Sequence, residues 1–267
     1  MVRLGQNFLA DPNLLEAIVR ESGLEANDVV LEVGGGEGVL TERLAAEVAT
    51  LHVIELDERL RSGLEELAAR EPAVRPVFGD AMHVDLAALE PAPTAMVANL
   101  PYSIATPVIL RTIAVLPGLG RWTVMVQREI ADRLRASPRT KAYGSPSVLV
   151  QLACRVELLR AVDPAVFRPR PRVGSALLRL ERMAPWPGDE VARLVRGAFA
   201  HRRKALARSV GISGIASRER TLAALEAAGL PGTARAEELA PPDFVRLAEA
   251  LADPAAPGRA AEEADGL

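Results

Sequence analysis

The sequence predicts an α/β fold, a mostly parallel sheet with crossover helices, followed by a small C-terminal helical domain. Two observations predict it. From Asp28 to about Arg135, short runs rich in Val, Ile and Leu alternate with stretches whose apolar residues recur at helical spacing. Beyond Met183, only the helical spacing occurs. A third observation, a glycine-rich turn where the first sheet strand runs into a helix, suits a ligand site at the strand ends, where open α/β sheets bind.

The elements follow in order. Strands are predicted at 29–33, 51–56, 74–78, 95–99 and 123–126, and helices at 39–49, 57–70, 105–116 and 128–136. Two further extended runs, 148–159 and 175–182, have no long helix between them and predict an antiparallel pair closing the sheet edge. The segment Ala184-Pro185-Trp186-Pro187-Gly188 reads as a linker, because its prolines cannot continue a helix or strand interior. Helices are then predicted at 189–210, 218–228 (ending at Gly229) and 242–252. The expected domains are 1–183, 184–252 and a disordered tail at 253–267, whose Ala, Pro, Gly and Glu offer almost nothing to bury.

Composition narrows the function classes. No apolar stretch approaches the roughly 20 residues of a bilayer span, and the first 15 residues do not read as a secretory signal, so a cytoplasmic protein is expected. Cys154 has no partner for an internal disulfide, and three histidines at distant positions give no zinc spacing, so no metal is expected. The net charge of −3 hides an asymmetry: residues 1–90 sum to −11, residues 91–210 to +13 and residues 211–267 to −5. A basic middle in an acidic chain suits a polyanion, RNA or DNA, because phosphate contacts supply most nucleic-acid affinity. By charge alone, an ordinary solvated surface explains it equally well.

The first strand ends in Glu32-Val33-Gly34-Gly35-Gly36-Glu37-Gly38. Gly34, Gly36 and Gly38 at alternate positions differ from the dinucleotide pattern G-x-G-x-x-G, and no Lys follows as in a phosphate-binding loop, which favours S-adenosylmethionine. Glu55 at the next strand end can accept ribose hydroxyls, and Asp80 at the one after can accept an adenine amine. Helix capping is the plainer reading of either acid alone. The fourth strand ends in Asn99-Leu100-Pro101-Tyr102, a tetrad of the (D/N)PP(Y/F) type. The amine of adenine is a weak nucleophile. The Asn99 side-chain oxygen and the Leu100 carbonyl can each take one of its N–H groups and hold it in line for methyl transfer, while Tyr102 stacks on the flipped base.

With these motifs, the stretches Gly5-Gln6-Asn7-Phe8-Leu9, Gln127-Arg128-Glu129, Lys141-Ala142-Tyr143-Gly144, Phe167-Arg168-Pro169-Arg170-Pro171-Arg172-Val173 and Arg202-Arg203-Lys204 resemble the KsgA family of small-subunit ribosomal RNA adenine dimethyltransferases over roughly residues 4–252. The resemblance implies a Rossmann-like methyltransferase domain with helices on both faces of its sheet and an RNA-contacting helical domain. It places cofactor contacts at Gln6, Asn7, Leu9, Gly34, Glu55, Asp80 and Asn99, with Gly36 and Ala81 beside them, and a second stacking ring at Phe167. It implies a monomer acting on two adjacent adenines in a hairpin near the 3′ end of 16S rRNA, with RNA contacts from Arg168, Arg170, Arg172, Arg202, Arg203 and Lys204. The related large-subunit (23S) dimethyltransferases of macrolide resistance and a non-catalytic RNA-binding assembly factor are the competing readings. Two positions depart from the family pattern: Gly35 stands where Pro is usual, which should loosen the turn, and Gly174 where Asp is common.

Overall fold

The computed structural model describes residues 8, 9 and 11–253. The expectations for Gln6, Asn7 and the tail beyond Asp253 lie outside the described residues. In chain order the strands are β1 (Phe8–Leu9), β2 (Val29–Val33), β3 (Thr50–Glu55), β4 (Val74–Phe78), β5 (Ala95–Asn99), β6 (Arg121–Gln127), β7 (Cys154–Val162), β8 (Phe167–Arg168) and β9 (Ser175–Arg182). The α-helices are α1 (Pro12–Ser22), α2 (Val39–Ala45), α3 (Arg61–Arg70), α4 (Ala105–Val115), α5 (Arg128–Leu134), α6 (Ser145–Ala153), α7 (Asp189–Ala200), α8 (Leu206–Ile212), α9 (Arg218–Ala227) and α10 (Pro241–Ala252).

Seven strands form one sheet in the order β4-β3-β2-β5-β6-β9-β7. The first five run parallel; β9 is antiparallel to both β6 and β7, with a bulge between Leu158 and Arg160. Every residue of β3 is buried, which requires cover on both faces of the sheet. β1 and β8 pair separately as a short antiparallel ribbon, Leu9 opposite Phe167.

α1 was not among the expected helices, although its signals are conventional. The Asp11 carboxylate accepts the N–H groups of Asn13 and Leu14, Pro12 opens the first turn, and Gly23 closes the helix at φ 57°. At the end of α4, where no basic residue sits in the last turn, Arg182 of β9 donates to the carbonyls of Ile113, Leu116 and Leu119 and lies over the Trp122 ring. That one guanidinium satisfies carbonyls a helix end leaves open.

The structure corrects two sequence expectations. Residues 148–159 are half helix and half strand, α6 giving way to β7 at Cys154. Their near-continuous apolar run fits either state; the helix places Ser147 and Gln151 one turn apart, so that Ser147 reaches the carbonyl of Arg133 and Gln151 those of Leu134 and Ala136. The single helix expected over 189–210 is two, α7 and α8, interrupted at 201–205.

The chain divides into two compact units, and the division is interleaved. Among the described residues, the sheet unit comprises those up to Asp132 with Cys154–Pro185; the second comprises Arg133–Ala153 with those from Trp186 to Asp253. The segment 133–153 therefore packs with the helical unit, whereas the sequence suggested one cut near residue 184. Inside that unit Tyr143 is fully buried, meets Phe199 edge-on at 5.8 Å and donates its hydroxyl to the Leu239 carbonyl at 2.8 Å. Phe199 in turn lies 5.9 Å from Phe244. Among the described residues, no helix is long and apolar enough to cross a membrane.

Candidate active site and cofactor cradle

The carboxyl ends of β4, β3, β2 and β5 lie side by side in that order, so the residues that follow them form a row about 14 Å long at the usual strand spacing of about 4.8 Å. Along the row stand Asp80, Glu55, the turn 34–38 and Asn99. Register fixes the alignment: Val33 is opposite Ile54, Glu55 opposite Phe78, and Asn99 opposite Met125.

The turn is held in a shape only glycine adopts easily. Gly34, Gly36 and Gly38 have φ of 85°, 56° and 82°. A side chain on Gly34 would reach 3.4 Å from Pro101 Cδ, so this turn lies against the Asn99–Tyr102 tetrad. Glu55 ties turn to strand: its Oε2 accepts the Gly36 N–H and its Oε1 the Asp57 N–H, each at 2.8 Å. Each oxygen has a second lone pair for a ligand hydroxyl. Next to it, Leu56 is half exposed, an apolar surface at the edge of the row that sequence reasoning passed over.

Asp80 opens a tight turn. Its Oδ1 accepts the Met82 N–H at 2.8 Å, its Oδ2 lies 3.0 Å from His83 Nδ1, and its backbone carbonyl receives the N–H groups of His83 and Val84. These partners, the Met82 N–H foremost, hold its carboxyl below the usual range, which favours the acceptor form. Ala81 is buried and its carbonyl is taken by Arg111.

Beneath the glycine turn, sequence reasoning also missed a buried acid. Glu32 on β2 is 1% exposed and accepts a bond from Thr41 Oγ1 on α2 at 2.7 Å. Burial pushes its carboxyl up to about 8, with the neighbouring Glu55 adding to the rise. Strand and helix are thus joined across the base of the turn.

At the acceptor end Asn99 is half-buried, Leu100 buried and Pro101 exposed. The Leu100 N–H continues the ladder to Met125, and the Ile104 N–H closes on the Pro101 carbonyl before α4 begins. The Tyr102 hydroxyl lies 2.7 Å from Ser175 Oγ, which sets the tilt of the ring. Ser175, on β9, carried no signal in the sequence.

Phe167 is 2% exposed and packed in the core cluster with Leu9, so in this arrangement it offers no face to a base and Leu9 no side chain to a cofactor. The ring is drawn inward because the β1–β8 ribbon sets it opposite Leu9. Of the expected RNA contacts, Arg168, Arg170 and Arg172 are exposed, Arg170 with a distant partner in Asp163 at 3.8 Å. Arg202 differs. Its guanidinium donates to the Glu237 carboxylate and the carbonyls of Thr140 and Lys141, so it fastens the helical unit internally; Arg203 is exposed and Lys204 half-buried. Among the described residues, no group of three or more His, Cys, Asp and Glu side chains is placed to hold a metal ion.

The residues present fit S-adenosylmethionine: a cradle that a Cβ would fill, a ribose-range carboxylate with free lone pairs, and an ionised acceptor in the turn beyond. Comparison with known proteins agrees with that geometry. The sequence profile of the ribosomal RNA adenine dimethylase family matches residues 2–253. The chain is 43% identical to the ribosomal RNA small subunit methyltransferase A of Rubrobacter xylanophilus, covering 92% of each, and 45% identical to that of Nocardia farcinica, covering 92% of this chain and 88% of the relative. Among solved structures, a dimethyladenosine transferase from Plasmodium falciparum superposes over 90% of this chain and 95% of its own with a TM-score of 0.76 at 24% identity, which shows the shared fold. The 23S rRNA methyltransferase ErmE matches over 92% of this chain and all of its own at TM-score 0.64 and 29% identity. With its cradle, its tetrad and the match over nearly its whole length, the chain belongs to the ribosomal RNA adenine dimethylase family.

Proposed function

We infer that the protein uses S-adenosylmethionine to dimethylate the N6 amines of two adjacent adenines in the 3′-terminal hairpin of 16S rRNA, working as a monomer without a metal ion. The observation that carries this reading is the row of strand ends, in which the glycine turn touches Pro101 and so sets a nucleoside-binding cradle directly beside an amine-holding tetrad. The higher identity to small-subunit enzymes than to ErmE supports the small-subunit substrate over the large.

Bound there, S-adenosylmethionine supplies an electrophilic methyl group. The chain supplies position. Glu55 receives the ribose hydroxyls, Asp80 and Ala81 receive the adenine edge, and Gly34 and Gly36 let the ligand approach the backbone. At the acceptor, the Asn99 oxygen and the Leu100 carbonyl accept the two N–H groups of the target amine, which aligns its lone pair and localises it without a strong base. Tyr102, fixed by Ser175, stacks on the extruded base. Phe167 joins it only if the β1–β8 ribbon opens, and Arg168, Arg170, Arg172, Arg203 and Lys204 face the phosphates.

The test is transfer of labelled methyl groups by wild type and Asn99→Ala to immature small subunits, mature small subunits and large-subunit RNA in parallel. Wild type should label immature small subunits. Asn99→Ala should lose at least about 100-fold in rate, with cofactor affinity falling far less than the rate. Label confined to large-subunit RNA overturns the substrate, and wild-type turnover by Asn99→Ala overturns the acceptor assignment.

A further inference from the structure

Arg111 sits in the middle of α4, the helix that begins directly after the acceptor tetrad. Its side chain leaves the helix for the turn after β4: Nη1 donates to the Ala81 carbonyl at 2.9 Å and Nη2 to the Val84 carbonyl at 2.7 Å. Those carbonyls bracket the turn whose first residue is Asp80. The turn is already drawn tight, with Gly79 so close to Val84 that a Cβ there would meet Val84 Cγ2 at 2.9 Å. A guanidinium presents a rigid planar fork whose two terminal nitrogens each donate to a different carbonyl at a fixed spacing, which the single nitrogen of an ammonium does not offer.

We propose that Arg111 is the positioning residue that makes the cofactor site select adenine, by locking the Asp80–Val84 turn onto α4 and so holding the Asp80 carboxylate and the Ala81 peptide in register with the adenine edge. The positive charge also favours the ionised Asp80 that an amine donor requires. Through the same side chain, the helix that leaves the acceptor tetrad is fastened to the part of the row farthest from it. The proposal rests on the reading of this row as an S-adenosylmethionine site, and its test separates the two.

The experiment compares the affinities of S-adenosylhomocysteine and S-inosylhomocysteine, in which an oxygen replaces the adenine amine, by calorimetry for wild type, Arg111→Met, Arg111→Lys and Asp80→Ala, with thermal unfolding of each. Wild type should prefer the amine-bearing ligand by about tenfold or more, since the deaminated ring has no N6–H to donate and turns a carbonyl oxygen towards the Asp80 carboxylate instead. Asp80→Ala should erase the preference. Arg111→Met should reduce it to within about threefold while the affinity for S-inosylhomocysteine stays nearly constant, and Arg111→Lys should fall between. If Arg111→Met weakens both ligands equally, or lowers only the unfolding temperature, Arg111 is a structural clamp and the proposal falls; if Arg111→Met does not fold, the same criterion applies to Arg111→Lys. A wild type without preference overturns the adenine reading of Asp80 itself, and the proposal with it.

Discussion

At the scale of single residues, glycine does two different jobs in the cofactor turn. Gly34, Gly36 and Gly38 are required by their positive φ, whereas Gly35 is required by a neighbour, because a Cβ there would stand 2.4 Å from Val53 Cγ1. The sequence reading took Gly35 as a loosened turn; the structure shows a filled one. Gly35→Ala should therefore destabilise the protein by about 1–3 kcal/mol through overpacking, and Val53→Ala should recover part of that loss. Denaturant unfolding of both single variants and the pair measures it; strictly additive losses would show that Val53 is not the obstacle. Motif residues were legible in the sequence because each sits beside others of its motif. Ser175 and Arg111 were not, because they reach the site from distant strands and helices, and Arg111 shows in the sequence only as a charge breaking an apolar run.

At the scale of elements, the strand positions were legible because buried parallel strands are short, apolar and bounded by turns, and β2, β4 and β5 stand where the pattern put them. The state of 148–153 was not, since partners outside the segment decide it, the carbonyls of Arg133, Leu134 and Ala136 that Ser147 and Gln151 reach. Burial of Glu32 on β2, where Thr41 of α2 meets it, gives the strand-to-helix junction a pH dependence, because burial disfavours the ionised carboxylate. Glu32 titrates near 4.5 when unfolded and about 8 when folded. The folded state thus favours the protonated acid, and the stability this gives is complete below 4.5 and lost as pH rises towards 8. Glu32→Gln keeps an acceptor for Thr41 and removes the ionisation. Its stability relative to wild type should grow across that window, by a few kcal/mol at most, and level off above it. Thermal unfolding of both proteins over the range is the measurement, and parallel pH profiles would refute the assignment.

At the scale of the whole molecule, the +13 of residues 91–210 was visible in the sequence, but which cations are available to a ligand was not. Arg202 is spent on Glu237 and two carbonyls, whereas Arg168, Arg170 and Arg172 are exposed. Replacing those three by Ala should make the slope of log affinity for substrate RNA against log salt shallower by about 2 to 3, at roughly 0.7–0.9 per phosphate contact. Binding titrations at several salt concentrations read it directly; an unchanged slope would place the RNA elsewhere. The interleaving of the two units has a consequence in time. Tyr143 is synthesised 96 residues before Leu239, whose carbonyl it engages. At about 5–20 residues per second, a nascent chain carries this aromatic anchor and the apolar face of α6 for roughly 5–20 s before the last of their partners exists. During that interval the inserted segment must wait, without its core, while the strands that flank it complete the sheet.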